Sequence, residues 1–101
     1  MIGIFMKQFA LLTVGFEKPT KEIMEKWNKW FESIGDRIVG KPAGLMNGKE
    51  ISKNGTQDLP MDLNAVTGYL VINAENMDEA LKLASENPYI TSIRVYEVMT
   101  H

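Results

Sequence analysis

The chain has 101 residues, 45% of them apolar and 24% charged, with a net charge of −2 and no cysteine. Such a chain suits one globular domain that buries roughly two-thirds of its unfolded surface, and it allows neither a disulfide framework nor a thiolate metal site. Residues 1–53 carry 9 basic and 6 acidic side chains and residues 54–101 carry 2 and 7. In a compact domain both halves share one surface, so this reads as a solvated mixture rather than a basic patch for nucleic acid.

No stretch approaches the roughly 18 apolar residues of a membrane span. The apolar residues 1–6 lack the positive flank and small-residue cleavage site of a signal peptide. Met6-Lys7 reads as a natural start, so residues 1–5 are expected to be an N-terminal extension and the protein to be cytoplasmic. Residues 5–14 are predicted to form a strand apolar on both faces, Phe9 and Leu11 on one and Ala10, Leu12 and Val14 on the other, which suits a central position. Gly15 to Pro19 break it, and Thr20 is placed to cap a helix.

That helix is the clearest periodic signal. At about 100° per residue, Ile23, Met24, Trp27, Trp30, Phe31, Ile34 and Ile38 fall within roughly 120° of arc. Because Ile38 stays on the stripe, the helix is predicted to run to about Val39 and to end at Gly40 and Pro42. The two tryptophans are expected in the core first, with ligand stacking second. Residues 44–51 then read as a short strand or hairpin around Asn47-Gly48, and residues 52–64, with Asn54-Gly55 and Pro60, as a loop.

Residues 65–74 alternate, with Val66, Gly68, Leu70 and Ile72 on one face and Thr67, Tyr69, Val71 and Asn73 on the other. Asn76 and Glu79 form a capping-box variant for a second helix expected to bury Met77, Ala80, Leu81 and Ala84 and to stop before Pro88. A last strand at residues 91–99 turns Ile93 and Val95 inward and Arg94, Tyr96 and Val98 outward. The order βαββαβ, with right-handed crossovers, predicts an α+β fold in which both helices cover one face of a four-stranded antiparallel sheet. The other face, with Thr67, Tyr69, Val71, Asn73, Arg94, Tyr96 and Val98, is too apolar to leave wet. It is expected to meet a second copy of the chain, leaving a ligand cavity at the seam.

Trp27-x-x-Trp30-x-x-x-x-Gly35-Asp36, Gly44-Leu45, Gly48, Lys53-Asn54-Gly55, Gly68-Tyr69, Ala74-Glu75-Asn76-Met77-Asp78 with Ala80, Asn87-Pro88 and Val95-Tyr96-Glu97 follow in that order. The set resembles the YCII-related proteins, in the branch that lacks the Asp-Gly-Pro-Phe signature, and spans residues 6–99. The resemblance implies a ferredoxin-like domain that pairs as a dimeric α+β barrel. In some members a histidine near the end of the first strand and an aspartate of the first helix are proposed as a catalytic pair. Asp36 matches the aspartate. No histidine stands near Gly15-Phe16, and the chain's one histidine is His101.

Asp36 is therefore the candidate acid/base residue, set against a plain surface ion pair with Arg37 or Lys41. Tyr69, Tyr96 and Arg94, on adjacent strands of the open face with Thr67 and Asn73, are the candidate ligand-binding group, set against plain packing and hydrogen bonding across a dimer seam, which is the favoured reading. No spacing proposes a metal site or a phosphate loop, and no cofactor is expected. RNA recognition would need several stacking aromatics and basic residues on the open face, and the basic position before Gly68 is Thr67. Two functions stay open: a small-molecule-binding dimer acting as a cofactor-free proton-transfer enzyme, and a non-catalytic metabolite-binding, regulatory or structural dimer module.

Overall fold

The computed structural model describes residues 6–99; the expected extension at residues 1–5, the predicted strand residue Phe5, and His101 lie outside them. The chain forms β1 (Lys7–Val14), α1 (Lys21–Ile34), a 3-10 turn (Gly35–Arg37), β2 (Ile38–Gly44), β3 (Lys49–Ser52), β4 (Gly55–Asp58), β5 (Val66–Ala74), α2 (Met77–Ser85) and β6 (Ser92–Glu97). Four strands make one sheet in the order β2-β5-β1-β6, with every neighbouring pair antiparallel. The fold is α+β, and β1 lies at the centre of the sheet, as its two apolar faces predict. Among the described residues no helix is long and apolar enough to cross a membrane.

One face of the sheet carries the core. Phe9 and Leu11 of β1 pair with Ile72 and Leu70 of β5, and on them pack Trp30 and Ile34 of α1 and Ala80 and Ala84 of α2. Ile38 of β2 and Ile93 and Val95 of β6 close the edges. The Trp30 indole donates to the Leu83 carbonyl at 3.0 Å, which joins the two helices and satisfies the one polar atom of a buried ring. Both predicted N-caps form: the Thr20 hydroxyl accepts from Ile23 N at 3.2 Å and the Asn76 side chain from Glu79 N at 2.9 Å. Each cap satisfies a helix N–H that would otherwise lack a partner, a contribution of about 1 kcal/mol.

Three expectations are corrected. Helix α1 ends at Ile34, not near Val39, and residues 38–44 are the second strand of the sheet. Ile38 kept the helical period because it reaches the same core from β2. The consecutive β-branched pair Ile38-Val39 favours the extended backbone, and Arg37 fixes the exit by donating to Glu79 and to the Asn73 carbonyl. Residues 44–51 are not the second sheet strand. Instead β3 and β4 form a separate hairpin closed at Asn54-Gly55, where Gly55 has φ +111°, within the segment expected to be a loop. In α2 the apolar side chain turned inward is Leu83, whereas Leu81 is half exposed.

Glu79 ties these parts together, accepting from Arg37 and from the backbone N–H of Glu75. The Arg37 hydrogen bond, then the Glu75 N–H, holds its carboxyl below the ordinary glutamate value. A lowered carboxyl value stabilises the fold above the unfolded glutamate range, near 4.3, and that contribution is lost as pH falls through the lowered value. Glu79→Gln should therefore unfold at lower urea than the native protein at neutral pH. The gap should close in titrations carried below about pH 4, and a gap independent of pH would show that the carboxylate charge is not what Arg37 requires.

Candidate functional site

The open face is laid out by strand register. Tyr69 and Arg94 both stand opposite Leu12, and Val71 and Tyr96 both stand opposite Ala10, while Asn73 stands opposite Gln8. On β2, Ala43 and Val39 extend the first two rows. Tyr69 and Arg94 are therefore not on adjacent strands: β1 lies between β5 and β6, which puts them two strand spacings apart, about 9.6 Å. The face has a small apolar centre of Ala10, Leu12 and Val71, and its outer side chains Tyr69, Arg94 and Tyr96 are exposed.

Thr67 leaves this face. The pairings Thr13↔Gly68 and Val14↔Val66 leave one extra residue in β5, a bulge at Thr67. Its hydroxyl turns back to β1, donating to the Gly15 carbonyl at 3.1 Å and sitting 3.3 Å from the Thr13 hydroxyl. Gly68 is required beside it, because a Cβ there would lie 2.6 Å from Thr13 Oγ1. Strand β2 is irregular too: between its pairings Val39↔Val71 and Ala43↔Tyr69 it carries two more residues than β5. That excess holds Gly40, with φ +74°, and Pro42, which has no N–H to lose on an edge strand.

The two irregularities flank a cleft of about 620 Å³ between α1 and strands β2 and β5. Trp27 and Phe31 of α1, Ile38 and Pro42 of β2, and Leu70 of β5 form its apolar walls, with Thr13, Thr67 and Gly68 also in the lining. Lys41 is the one charged residue in that lining. The Trp27 ring is held 5.6 Å from Phe31 and edge-on to Trp30 at 6.0 Å, so its aromatic neighbours set its position. A second cleft of about 570 Å³, running along residues 15–24, shares Trp27 and Thr67 with the first.

Asp36 belongs to neither cleft. It is exposed on the 3-10 turn, and among the described residues it forms an ion pair with neither Arg37 nor Lys41. Its neighbour Arg37 is engaged by Glu79. Of the sequence candidates, Thr67 and Tyr69 reach the first cleft, while Arg94, Tyr96 and Asn73 do not. Thr13, Trp27, Phe31, Lys41 and Gly68 were missed as a group. A glycine inside an alternating strand was the available signal, since it marks a bulge or a close approach. Comparison with known proteins finds no matching family model and no matching curated protein.

The close approach of Thr13 and Gly68 can be measured. Gly68→Ala should lower stability by about 1–3 kcal/mol through overpacking. In a Thr13→Ala background the same change should cost far less, because the atom it meets is gone. Equal losses in both backgrounds, read by urea unfolding, would mean that the strands separate freely at this point.

Proposed function

We propose that the protein is a small-molecule-binding homodimer of the YCII-related kind, a ferredoxin-like βαββαβ domain whose open sheet face packs on a second copy. The strand order β2-β5-β1-β6 supports the ferredoxin-like reading, since without the hairpin it puts the first and third strands at the centre. The open face supports self-association: an apolar centre with a polar border is the anatomy of an interface, and a two-fold axis uses the same patch on both subunits. Its one charged side chain, Arg94, lies on the edge strand β6, where it stays at the rim. A chain without cysteine suits a reducing cytoplasm.

The single observation that carries the ligand reading is the cleft beneath Trp27 and Phe31, with apolar walls and with Thr13, Thr67 and Lys41 also in its lining. A few hundred Å³ of mostly apolar space with a few convergent polar groups is the usual form of a small-molecule site. Binding is the activity this geometry supports. The matched aspartate is exposed and outside the cleft, so a proton-transfer reaction is not assigned to Asp36.

Two experiments test the reading. Light scattering should give twice the chain mass of 11.4 kDa, and Val71→Asp, which puts a charge at the centre of the open face, should give the chain mass with α1 and α2 still folded. A native monomer would remove the dimer. Asp36→Asn should leave the affinity for any ligand captured by the cleft within about twofold, a surface-charge effect at most. A large loss would return Asp36 to the site.

A further inference from the structure

The β3–β4 hairpin makes a two-stranded sheet of its own, and all eight of its strand residues are exposed. A two-stranded ribbon alone in water is marginal, and packing against another element is what makes one stable. Its ladder continues to the root, where the Leu59 N–H donates to the Gly48 carbonyl at 2.8 Å. The hairpin therefore leaves the domain as one arm. The radius of gyration is 15.3 Å, against about 13 Å for a compact chain of 100 residues, as a projecting arm requires.

Apolar surface is concentrated at this end of the molecule. Leu45, Met46, Ile51, Leu59, Leu63 and Val66 are all exposed, Met46 by 73% and Ile51 by 82%. Leu45, Met46, Leu59 and Val66 line one cleft of about 490 Å³ at the root of the arm. This patch is continuous with the open sheet face. Because Thr67 is an extra residue, Val66 stands opposite Val14, in the alternation that Ala10 and Leu12 begin. Leu45 follows Ala43, the residue opposite Tyr69, by two positions, and its N–H still donates to the Thr67 carbonyl at 2.9 Å. Both side chains thus extend the open face toward the hairpin.

The size of the open face points the same way. Four strands about 4.8 Å apart, paired over six residues of about 3.4 Å each, present a plate of roughly 400 Å². Stable dimers bury about 800 Å² on each partner. The flat sheet is a small interface by itself, and the root patch lies at the margin where a larger one would continue.

From this continuity, and resting on the reading that the open face pairs with a second copy, we infer that the hairpin is a dimerisation arm. The same second copy covers the cleft at its root and the Ile51 side chain. A two-fold axis makes each of these contacts twice, so apolar side chains that are wet in one chain are dry in two.

Sedimentation equilibrium of the full chain tests this with Met46→Asp and Ile51→Asp. Both positions are exposed within one chain, so neither change disturbs its core, and monomer stability should hardly move. Each should raise the dimer dissociation constant by about tenfold or more, because the carboxylate must lose its water when the second copy seats. Leu81→Glu, at a half-exposed position of α2, should stay within about twofold of native, as a charge remote from the interface is screened. Circular dichroism checks that each variant keeps its helices and strands. If the native chain dimerises and both aspartate variants dimerise as tightly, the arm is overturned while the open-face dimer stands. If the native chain is a monomer at every concentration, both are overturned.

Discussion

At the end of β1 and the start of β5, the two central strands, the pairing falls out of step by one residue, and the candidate site lies beside that mismatch. The extra residue, Thr67, cannot keep its place in the alternation, so its hydroxyl turns to the main chain of Thr13 and Gly15. Gly68 then has to approach Thr13 so closely that no side chain fits between them. The bulge borders the cleft, and the Thr13 and Thr67 hydroxyls lie 3.3 Å apart beside it.

The edge of the sheet responds in the same direction. Two extra residues in β2 carry Lys41 and Pro42 into the lining of the cleft, and α1 spans the gap with Trp27 and Phe31. The helix is anchored elsewhere, by Trp30 and Ile34 in the core and by the indole bond to Leu83. One turn of α1 is therefore core and the neighbouring positions are wall, which is why aromatic residues at helical spacing serve both purposes. The hairpin of β3 and β4 takes no part in this. All eight of its residues are exposed, Ile51 by 82%, and it is held to its own register by Lys49 bonding Asp58 at 2.6 Å.

Much of the fold was legible because local chemistry and tertiary placement agreed. The two apolar faces of β1 required a central strand. Thr20 and Asn76 declared their helix starts, and the alternation of β6 divided Ile93 and Val95 from Arg94 and Tyr96. The failures came where one residue satisfied two patterns. Ile38 fits a helical stripe and a buried strand equally well, so only the break at Gly35 and the anchoring of Arg37 by a residue 42 positions away decide between them. Gly40 and Pro42 read as a helix terminator, yet they shape an irregular edge strand. For Thr67, alternation gave the wrong face, because a bulge is a property of a strand pair and is written in neither strand alone. The cleft was invisible for the same reason: its residues come from β1, α1, β2 and β5, and only the relative offset of the strands leaves room among them.

We propose the space beneath Trp27 as the place where a small molecule binds. Amide and indole shifts of the nitrogen-labelled chain during a titration with benzyl alcohol, a small flat apolar probe, test it most directly. Binding in the cleft should give saturable shifts at Thr13, Trp27, Phe31 and Gly68, with the Trp27 indole the most affected and Trp30 little changed. Shifts confined to Ala10, Arg94 and Tyr96 on the open face, with Thr13 and the Trp27 indole silent, would contradict it.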